Sequence, residues 1–472
     1  GTVDGSIVNV ALPTLMRALQ APFATIQWVV LSYLMGLTVL MLSVGRLADI
    51  IGKKRIFSLG LGVFVLGSGL CGLSPSVYWL IAFRFIQSIG AAMIVALGVA
   101  IVTETWPDAE RGKAIGISGG VISLGLVAGP ALGGLILQHL GWRWIFFVNL
   151  PVGALALFLV LRYVPPLVPR QQREAFDLAG AGTIGLSLAS FALALTIGQE
   201  QGFTAPAPLG LLTTALVSLL LFLWIERRAA HPMLDLALFR IPTFGLNLFT
   251  GLLTFIAIAG VIFLLPFYLE LVLGLSQQNT GLLMAVVPMV LGVVAPISGS
   301  LSDRLGTRPV TVVGLVLIVI GYLALSTLGT NTTPMGFVLR MLPVGLGMAT
   351  FQSPNNSAIM GSAPRNRLGV ASGTLSTTRT MGQTMGIAVL GAFFTARLHA
   401  HAGPEAVLQT ATPEQIVRAI HDQMFLVALL IALGLVIAVR QWKVERKGRR
   451  GLEGAGGRNI HPPANQSSTK QP

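Results

Sequence analysis

Apolar runs of about 20 residues recur along almost the whole chain, and this feature limits the possible folds more than any other. A helix of that length spans about 30 Å of hydrocarbon. Because backbone in lipid must satisfy its own hydrogen bonds, each run is predicted to be a helix. We find fourteen runs, near residues 1–19, 27–45, 56–73, 77–103, 113–138, 144–163, 178–198, 208–225, 244–272, 279–301, 309–329, 334–360, 369–396 and 421–441.

Charged residues make up only 10% of the chain, against about 25% in soluble domains. This composition excludes an ordinary soluble enzyme and predicts an all-α integral membrane protein embedded in a lipid bilayer. The sequence has one cysteine, so a disulfide framework is excluded. His399 and His401 have no third ligand nearby, and we expect no metal site.

The net charge of +14 is distributed unevenly. Of the 31 Lys and Arg residues, 24 lie in the connections after even-numbered runs or in the segment that begins at Arg440, whereas the odd-numbered connections hold four. The positive-inside rule therefore predicts that both termini are cytoplasmic. Membrane topology therefore explains the excess of Lys and Arg over Asp and Glu, and a nucleic-acid partner is not expected.

An internal repeat relates the two ends of the chain. The loop at 45–55 matches the loop at 299–308 at an offset of 254, and four glycines of run 5 recur in run 13 at an offset of 257. We therefore predict a six-helix bundle at 1–164, a linker with two inserted helices at 165–230, a second bundle at 231–441 and a disordered basic cytoplasmic tail at 442–472. Two parallel halves are typical of transporters that bind substrate between them, although a duplication without transport is an alternative.

Both repeated loops have the pattern Gly-x-x-x-Asp-x-x-Gly. Glycine allows the tight reversal, and the acid can pair with arginines or with helix N-termini. A gate needs contacts that break in one conformation, whereas a simple charged anchor would need only the basic residues. We predict that the gating residues are Gly45, Asp49, Gly52, Arg55, Asp303 and Gly306.

These motifs resemble known ones. The loop at 45–55 is similar to the loop-2/3 signature of the major facilitator superfamily, and Gly125-x-x-x-Gly129-Pro130-x-x-Gly133 resembles the antiporter signature of its drug-efflux branches. Residues 4–13, residues 141–153 and Arg84-x-x-Gln87 resemble segments of its fourteen-helix drug–proton antiporters.

The resemblance implies the major facilitator fold, with two parallel-repeat six-helix bundles and an inserted two-helix hairpin. It implies export of small amphipathic compounds or drugs across a bacterial cytoplasmic membrane, driven by protons through alternating access. We expect no cofactor, since the proton gradient supplies the energy, and a monomer, although the sequence leaves oligomeric state and substrate open. The alternatives are an uptake symporter and a membrane sensor that kept the fold.

Gly125, Gly129 and Gly133 fall four residues apart, which makes a flat stripe that a neighbouring helix can approach closely. Pro130 favours a bend. Ordinary helix packing explains the stripe equally well, whereas the resemblance implies that these four residues seal the two halves against proton leak.

Ionisable residues inside membrane spans must be paired or face water. Asp4, Arg84, Arg340 and Arg379 are in this position. The resemblance implies that Asp4 and Arg84 pair in the N-terminal half and couple transport to protons, although Asp4 could instead be merely interfacial.

Polar and aromatic residues of several spans are candidates for a substrate cavity, although helix packing explains each equally well. Runs 10 and 13 carry no acid apart from Asp303, which disfavours a dicationic substrate, and Glu270 stands where the family more usually has Gln. The cavity candidates are Trp28, Tyr33, Gln352, Asn355, Asn356, Arg379 and Gln383.

Overall fold

A computed structural model describes residues 2–106, 110–165, 178–229, 236–364, 367–403 and 405–456, and the regular structure of these residues is entirely helical. The helices are α1 (Thr2–Ala18), α2 (Trp28–Ile51), α3 (Lys53–Leu73), α4 (Val77–Thr105), α5 (Arg111–His139), α6 (Trp144–Phe147 and Asn149–Tyr163), α7 (Leu178–Gln201), α8 (Pro206–Arg228), α9 (Pro242–Phe267), α10 (Gln277–Met284 and Val286–Leu305), α11 (Thr307–Leu325), α12 (Pro334–Ser362), α13 (Leu368–Ala402) and α14 (Pro413–Gly456). A short helix at Phe23–Ile26 precedes α2, and a π-turn at Tyr268–Val272 extends α9.

Each of the fourteen predicted runs coincides with one of these helices. In the described part of the chain, twelve helical segments are long and apolar enough to cross a membrane. The other two are α1, which has 17 residues, and α13, which includes the polar stretch at 376–383. Both pack on other helices of the bundle, so protein covers much of the surface that lipid would otherwise contact. A helix in this position can be shorter or more polar than a span exposed to lipid.

The same helix pairs pack in both halves. In the first half, α1 packs on α5, while α2 and α3 pack on α4; in the second half, α9 packs on α13, while α10 and α11 pack on α12. The two six-helix bundles are therefore structural repeats. The inserted helices α7 and α8 form a separate hairpin, in which they pack closely on each other.

Glycines bring the helices of these pairs into backbone contact. A Cβ added at Gly90 of α4 would lie 2.5 Å from the carbonyl oxygen of Gly60 in α3, and one at Gly347 of α12 would lie 2.7 Å from the carbonyl oxygen of Gly314 in α11. A side chain at either glycine would separate the helices, because backbone cannot yield as a flexible side chain does.

The odd-numbered connections gather on one face of the molecule, which we call the odd face. Tyr268 after α9 donates a hydrogen bond to the Gly329 carbonyl after α11 (2.7 Å), and Gln409 after α13 donates to the Ala21 carbonyl after α1 (3.3 Å). On the opposite side, the even face, Lys54 in the first turn of α3 donates to the Val164 carbonyl after α6 (2.5 Å). The helices therefore alternate in direction, as membrane-spanning segments must.

The last helix extends beyond its predicted end. The sequence predicts a disordered tail at 442–472, but α14 continues to Gly456. Glu445 in this extension forms an ion pair with Arg308 (2.7 Å), whose Nη1 also donates to Asn247 and Gln441 (2.6 and 2.7 Å). Residues 457–472 of that tail, and residues 166–177 of the linker, lie outside the described residues.

Candidate functional site

A buried carboxylate on α1 forms the centre of the most polar cluster in the first half. Asp4 is 1% exposed, and its Oδ2 accepts a hydrogen bond from Arg84 Nη1 at 2.6 Å. Its Oδ1 accepts from Gln87 Nε2 at 3.0 Å and from Asn149 Nδ2 at 2.7 Å. The predicted Asp4–Arg84 pair is thus present, and four helices contribute to the Asp4 cluster when Tyr33 of α2 is included.

The guanidinium of Arg84 is held on several sides. Its Nε donates to the Val29 carbonyl (3.1 Å), its Nη1 also donates to Gln87 Oε1 (2.6 Å), and the Tyr33 ring lies 4.1 Å from its central carbon. Among the described contacts, every group that hydrogen-bonds the Asp4 carboxylate is a donor. Through this one side chain α1 is bound to α4 and α6, so the position of α1 and the contacts of Asp4 depend on each other.

The glycine stripe of α5 lies against α1 of the same half. A Cβ at Gly125 would meet Val3 (2.9 Å), one at Gly129 would meet Ser6, and one at Gly133 would meet Ile7 (3.1 Å). Gly382 and Gly386 of α13 pack in the same way on Phe255 and Ile256 of α9. The three glycines therefore position the helix that carries Asp4, and the contact between halves is made elsewhere on α5.

That contact between the halves lies next to the stripe. A Cβ at Gly134 of α5 would lie 2.5 Å from the Gln277 carbonyl oxygen and 3.1 Å from the Gly281 Cα of α10, and Gly281 in turn faces the carbonyl of Pro130. The carbonyl of Pro130 is therefore part of the seam between α5 and α10, where the two halves touch backbone to backbone.

An aromatic plug closes the odd face between the halves. Phe23, in the short helix before α2, inserts between three rings of the second half, with ring centroids 5.5 Å from Phe263, 5.2 Å from Phe267 and 5.5 Å from Phe394. Phe23 is 7% exposed. An aromatic side chain buried in this way holds the halves together at the odd face.

An ion pair stands beside the plug. Arg17 at the end of α1 pairs with Glu270 in the π-turn after α9, and the Glu270 side chain is 2% exposed. Glu270, an acid at the position where the sequence analysis expects Gln, thus links the first half to the second at the odd face.

The inserted helix α7 contacts both halves at the odd face. Trp28 of α2 donates from its Nε1 to Thr196 of α7 (2.9 Å), and Thr395 of α13 donates to Gln199 of α7 (2.8 Å). The helix therefore covers the seam between α2 and α13, opposite the seam between α5 and α10. Trp28 is engaged in this contact.

The predicted gating loops have the expected reversals. Gly52 after α2 and Gly306 after α10 have φ of 109° and 88°, which L side chains rarely adopt. Arg55 and Asp303 are exposed on the even face. The side-chain surroundings of Gly45 and Asp49 lie outside the described residues.

The cavity candidates separate into two groups. Tyr33 belongs to the Asp4 cluster, and Asn355 is buried between α12 and Gly251 of α9. Residues with side chains that remain partly or largely exposed are Gln352, Asn356, Arg379 and Gln383. Arg340 lies in the second turn of α12 near the odd face, where it donates to Thr327 (2.9 Å) and to the Gly336 carbonyl (2.9 Å).

Sequence reasoning missed several residues. Asn149, Phe23 and Ser68, whose hydroxyl oxygen accepts a hydrogen bond from Gln87 Nε2 of the Asp4 cluster (2.6 Å), carry no charge. Their roles depend on contacts between helices that are distant in sequence. A signal existed for Asn149, since it falls within the motif at 141–153. For Phe23 the sequence offers no signal, because a phenylalanine in a connection is unremarkable until its partners are known.

Comparison with known proteins gives a consistent result. The family model described as Major Facilitator Superfamily matches residues 2–387. The chain is 35% identical to the riboflavin transporter RibZ of Clostridioides difficile over 83% of this chain and 85% of that protein. It is 37% identical to the multidrug resistance protein Stp of Mycobacterium tuberculosis over 88% of this chain and 77% of that protein. Its fold matches an inward-facing bacterial homologue of the human lysosomal transporter Spinster, with a TM-score of 0.66 and 17% identity over 93% of both chains.

Proposed function

Since this chain belongs to the Major Facilitator Superfamily, we propose that it exports small amphipathic compounds from a bacterial cytoplasm in exchange for protons. It is a membrane transporter and not an enzyme. We take the odd face as the outside, in keeping with the distribution of Lys and Arg. The printed name of Stp, a multidrug resistance protein, favours export of drug-like molecules.

The observation that carries the proposal is the Asp4 cluster. A carboxylate that is buried at 1% exposure and held by three donors can exchange a proton only when these contacts loosen. The glycine stripe couples α1 to α5, and α5 meets the second half at Gly281. Movement of the halves would therefore reach Asp4 through α5 and α1.

The conformation observed supplies one state of the cycle. The outer side is closed by the plug at Phe23 and by the Arg17–Glu270 ion pair. With Asp4 ionised and paired, this state would accept substrate from the cytoplasm. Opening to the outside would bring water to Asp4, so that a proton enters as substrate leaves, and its release to the cytoplasm would restore the pair.

Uptake is the second candidate. A relative with 35% identity is named a riboflavin transporter, and uptake of such a nutrient would use the same fold with substrate and proton moving in the same direction. The direction of the coupled fluxes distinguishes the two candidates.

The test is flux into proteoliposomes that carry an imposed pH gradient and a panel of anionic, neutral and cationic dyes. We expect at least one dye to move against the proton flux, with wild-type protein but not with Asp4→Asn. The matched control is Asp422→Asn, which removes an acid that pairs with Arg397 on the odd face. Equal gradient-driven flux in wild type and Asp4→Asn would refute the coupling role, and movement of dye with the protons would favour uptake.

A further inference from the structure

The side chain of Arg379 in α13 stands out among the arginines of the spans. It is exposed, and its guanidinium carbon lies 5.6 Å from the centroid of the Phe255 ring on α9. Because Phe255 is 5% exposed and belongs to the buried core, Arg379 lies on the side of α13 that faces α9, and we take the open space in front of its guanidinium as the cavity. Arg379 is one helical turn before Gly382, which packs on the same Phe255.

Other arginines near or within the spans have polar partners. Arg84 pairs with Asp4, Arg308 with Glu445, and Arg340 with a hydroxyl and a carbonyl. In the part of the chain that the structure describes, Arg379 has no ion pair and no hydrogen bond, and its charged group contacts only the Phe255 ring. A guanidinium inside the membrane is costly unless water or an anion compensates it.

The acids of the spans cannot serve as that anion. Asp4 is held in the Asp4 cluster, Glu270 and Asp422 form ion pairs at the odd face, and Glu226 is buried in the inserted helix α8. Asp303 lies at the exposed even-face end of α10. The cavity is therefore left with the positive charge of Arg379 beside an aromatic ring.

We propose that the substrates of this transporter are small aromatic anions, molecules in which a flat ring carries a carboxylate or a similar ionised group. The planar fork of Arg379 matches such a group in a bidentate pair, and the plane of a guanidinium also stacks on aromatic faces, so one side chain can contact both parts of the molecule. This inference deepens the proposed function, since it depends on transport through the same cavity.

Binding of three ligands with the same ring tests the proposal. The probes are 2-naphthoate, 2-naphthamide and 2-naphthylmethylammonium, titrated into purified full-length protein in detergent by calorimetry. We expect wild type to bind the naphthoate at least about tenfold more tightly than the other two, as a charge-assisted pair requires. Arg379→Gln should remove this preference, and Arg379→Lys should keep part of it, because the charge remains but the fork is lost.

Arg340→Gln is the matched control, because it removes one positive charge from a span outside the cavity and should leave the order of affinities unchanged. If Arg379→Gln fails to fold, the order of the three affinities in the wild-type protein still tests the proposal. Equal or tighter binding of the cation, an unchanged preference in folded Arg379→Gln, or no binding of naphthoate to folded wild type would each overturn the proposal. If protons drove flux of a cationic dye only, the anion preference would be wrong and the proposed export would stand. If naphthoate bound selectively but no dye moved with a pH gradient, the anion preference would stand and proton-coupled export would be wrong.

Discussion

Removal of the plug should shift the protein toward the outward-open conformation. In the closed state Phe23 is 7% exposed and contacts three rings of the second half. Truncation of a buried phenylalanine costs about 3–5 kcal/mol, and most of that loss in Phe23→Ala falls on the closed state, since opening would pull the ring out of its site. A loss of about 3 kcal/mol changes the equilibrium roughly 100-fold. If about 1% of the wild type is open, about half of the variant will be.

Distances between spin labels on the outer side measure this shift. Suitable label sites are the exposed residues Leu140 after α5 and Met335 at the start of α12, each changed to Cys. The single native cysteine, Cys71, is buried and will not interfere. We expect a second, longer distance between the labels in Phe23→Ala. In the labelled protein that keeps Phe23, this distance should be weak or absent.

Phe351→Ala is the control for this experiment. Phe351 is as deeply buried, at 1% exposed, but it packs on Gly314 inside the second half. This variant should lose stability without a change in the distance distribution. An unchanged distribution in Phe23→Ala, or the same change in both variants, would show that the plug does not hold the outer side closed.

Three further predictions concern other contacts. Gly129→Leu should lower stability by about 1–3 kcal/mol and uncouple proton flux from substrate flux in the proteoliposome assay, because leucine would push α1 and Asp4 away. The control Gly62→Leu, at a site with open space around it, should keep both stability and coupling. Glu270→Gln should favour outward opening by less than Phe23→Ala does. The charge left without a partner is that of Arg17, which is 45% exposed, so the substitution leaves no uncompensated buried charge. Equal spin-label shifts would contradict this ranking. In intact cells, an impermeant thiol reagent should label Glu405→Cys and miss Arg55→Cys, both exposed positions, and the reverse result would invert the topology.

Much of the fold follows from the sequence because the bilayer allows few solutions. An apolar run of 20 residues can only be a helix in lipid, so all fourteen runs were located. The Asp4–Arg84 pair was also predictable, since an isolated charge inside a span needs a partner. The end of α14 was not predictable, because the ion pair of Glu445 with Arg308 depends on the first turn of α11, which is distant in sequence.

The role of the glycine stripe shows the limit of a periodic pattern. Spacing by four predicts that some helix approaches Gly125, Gly129 and Gly133 closely, and one does. The pattern carries no information about which helix this is, and the partner proves to be α1 of the same half. Similarly, the polarity of Asn355 could not tell burial between helices from a position in the cavity, because both environments suit an amide.

The position of α7 makes the two lateral routes from the bilayer unequal. Two repeated halves have two seams that face lipid, and the repeat alone would make them alike. Here the seam between α2 and α13 is bridged by α7 through Thr196 and Gln199, whereas the seam between α5 and α10 is closed by direct contact of Gly134 with Gly281. A compound in the lipid leaflet at the odd face therefore meets three helices at one seam and two at the other. The inserted hairpin, which belongs to neither repeat, is what makes the two seams different.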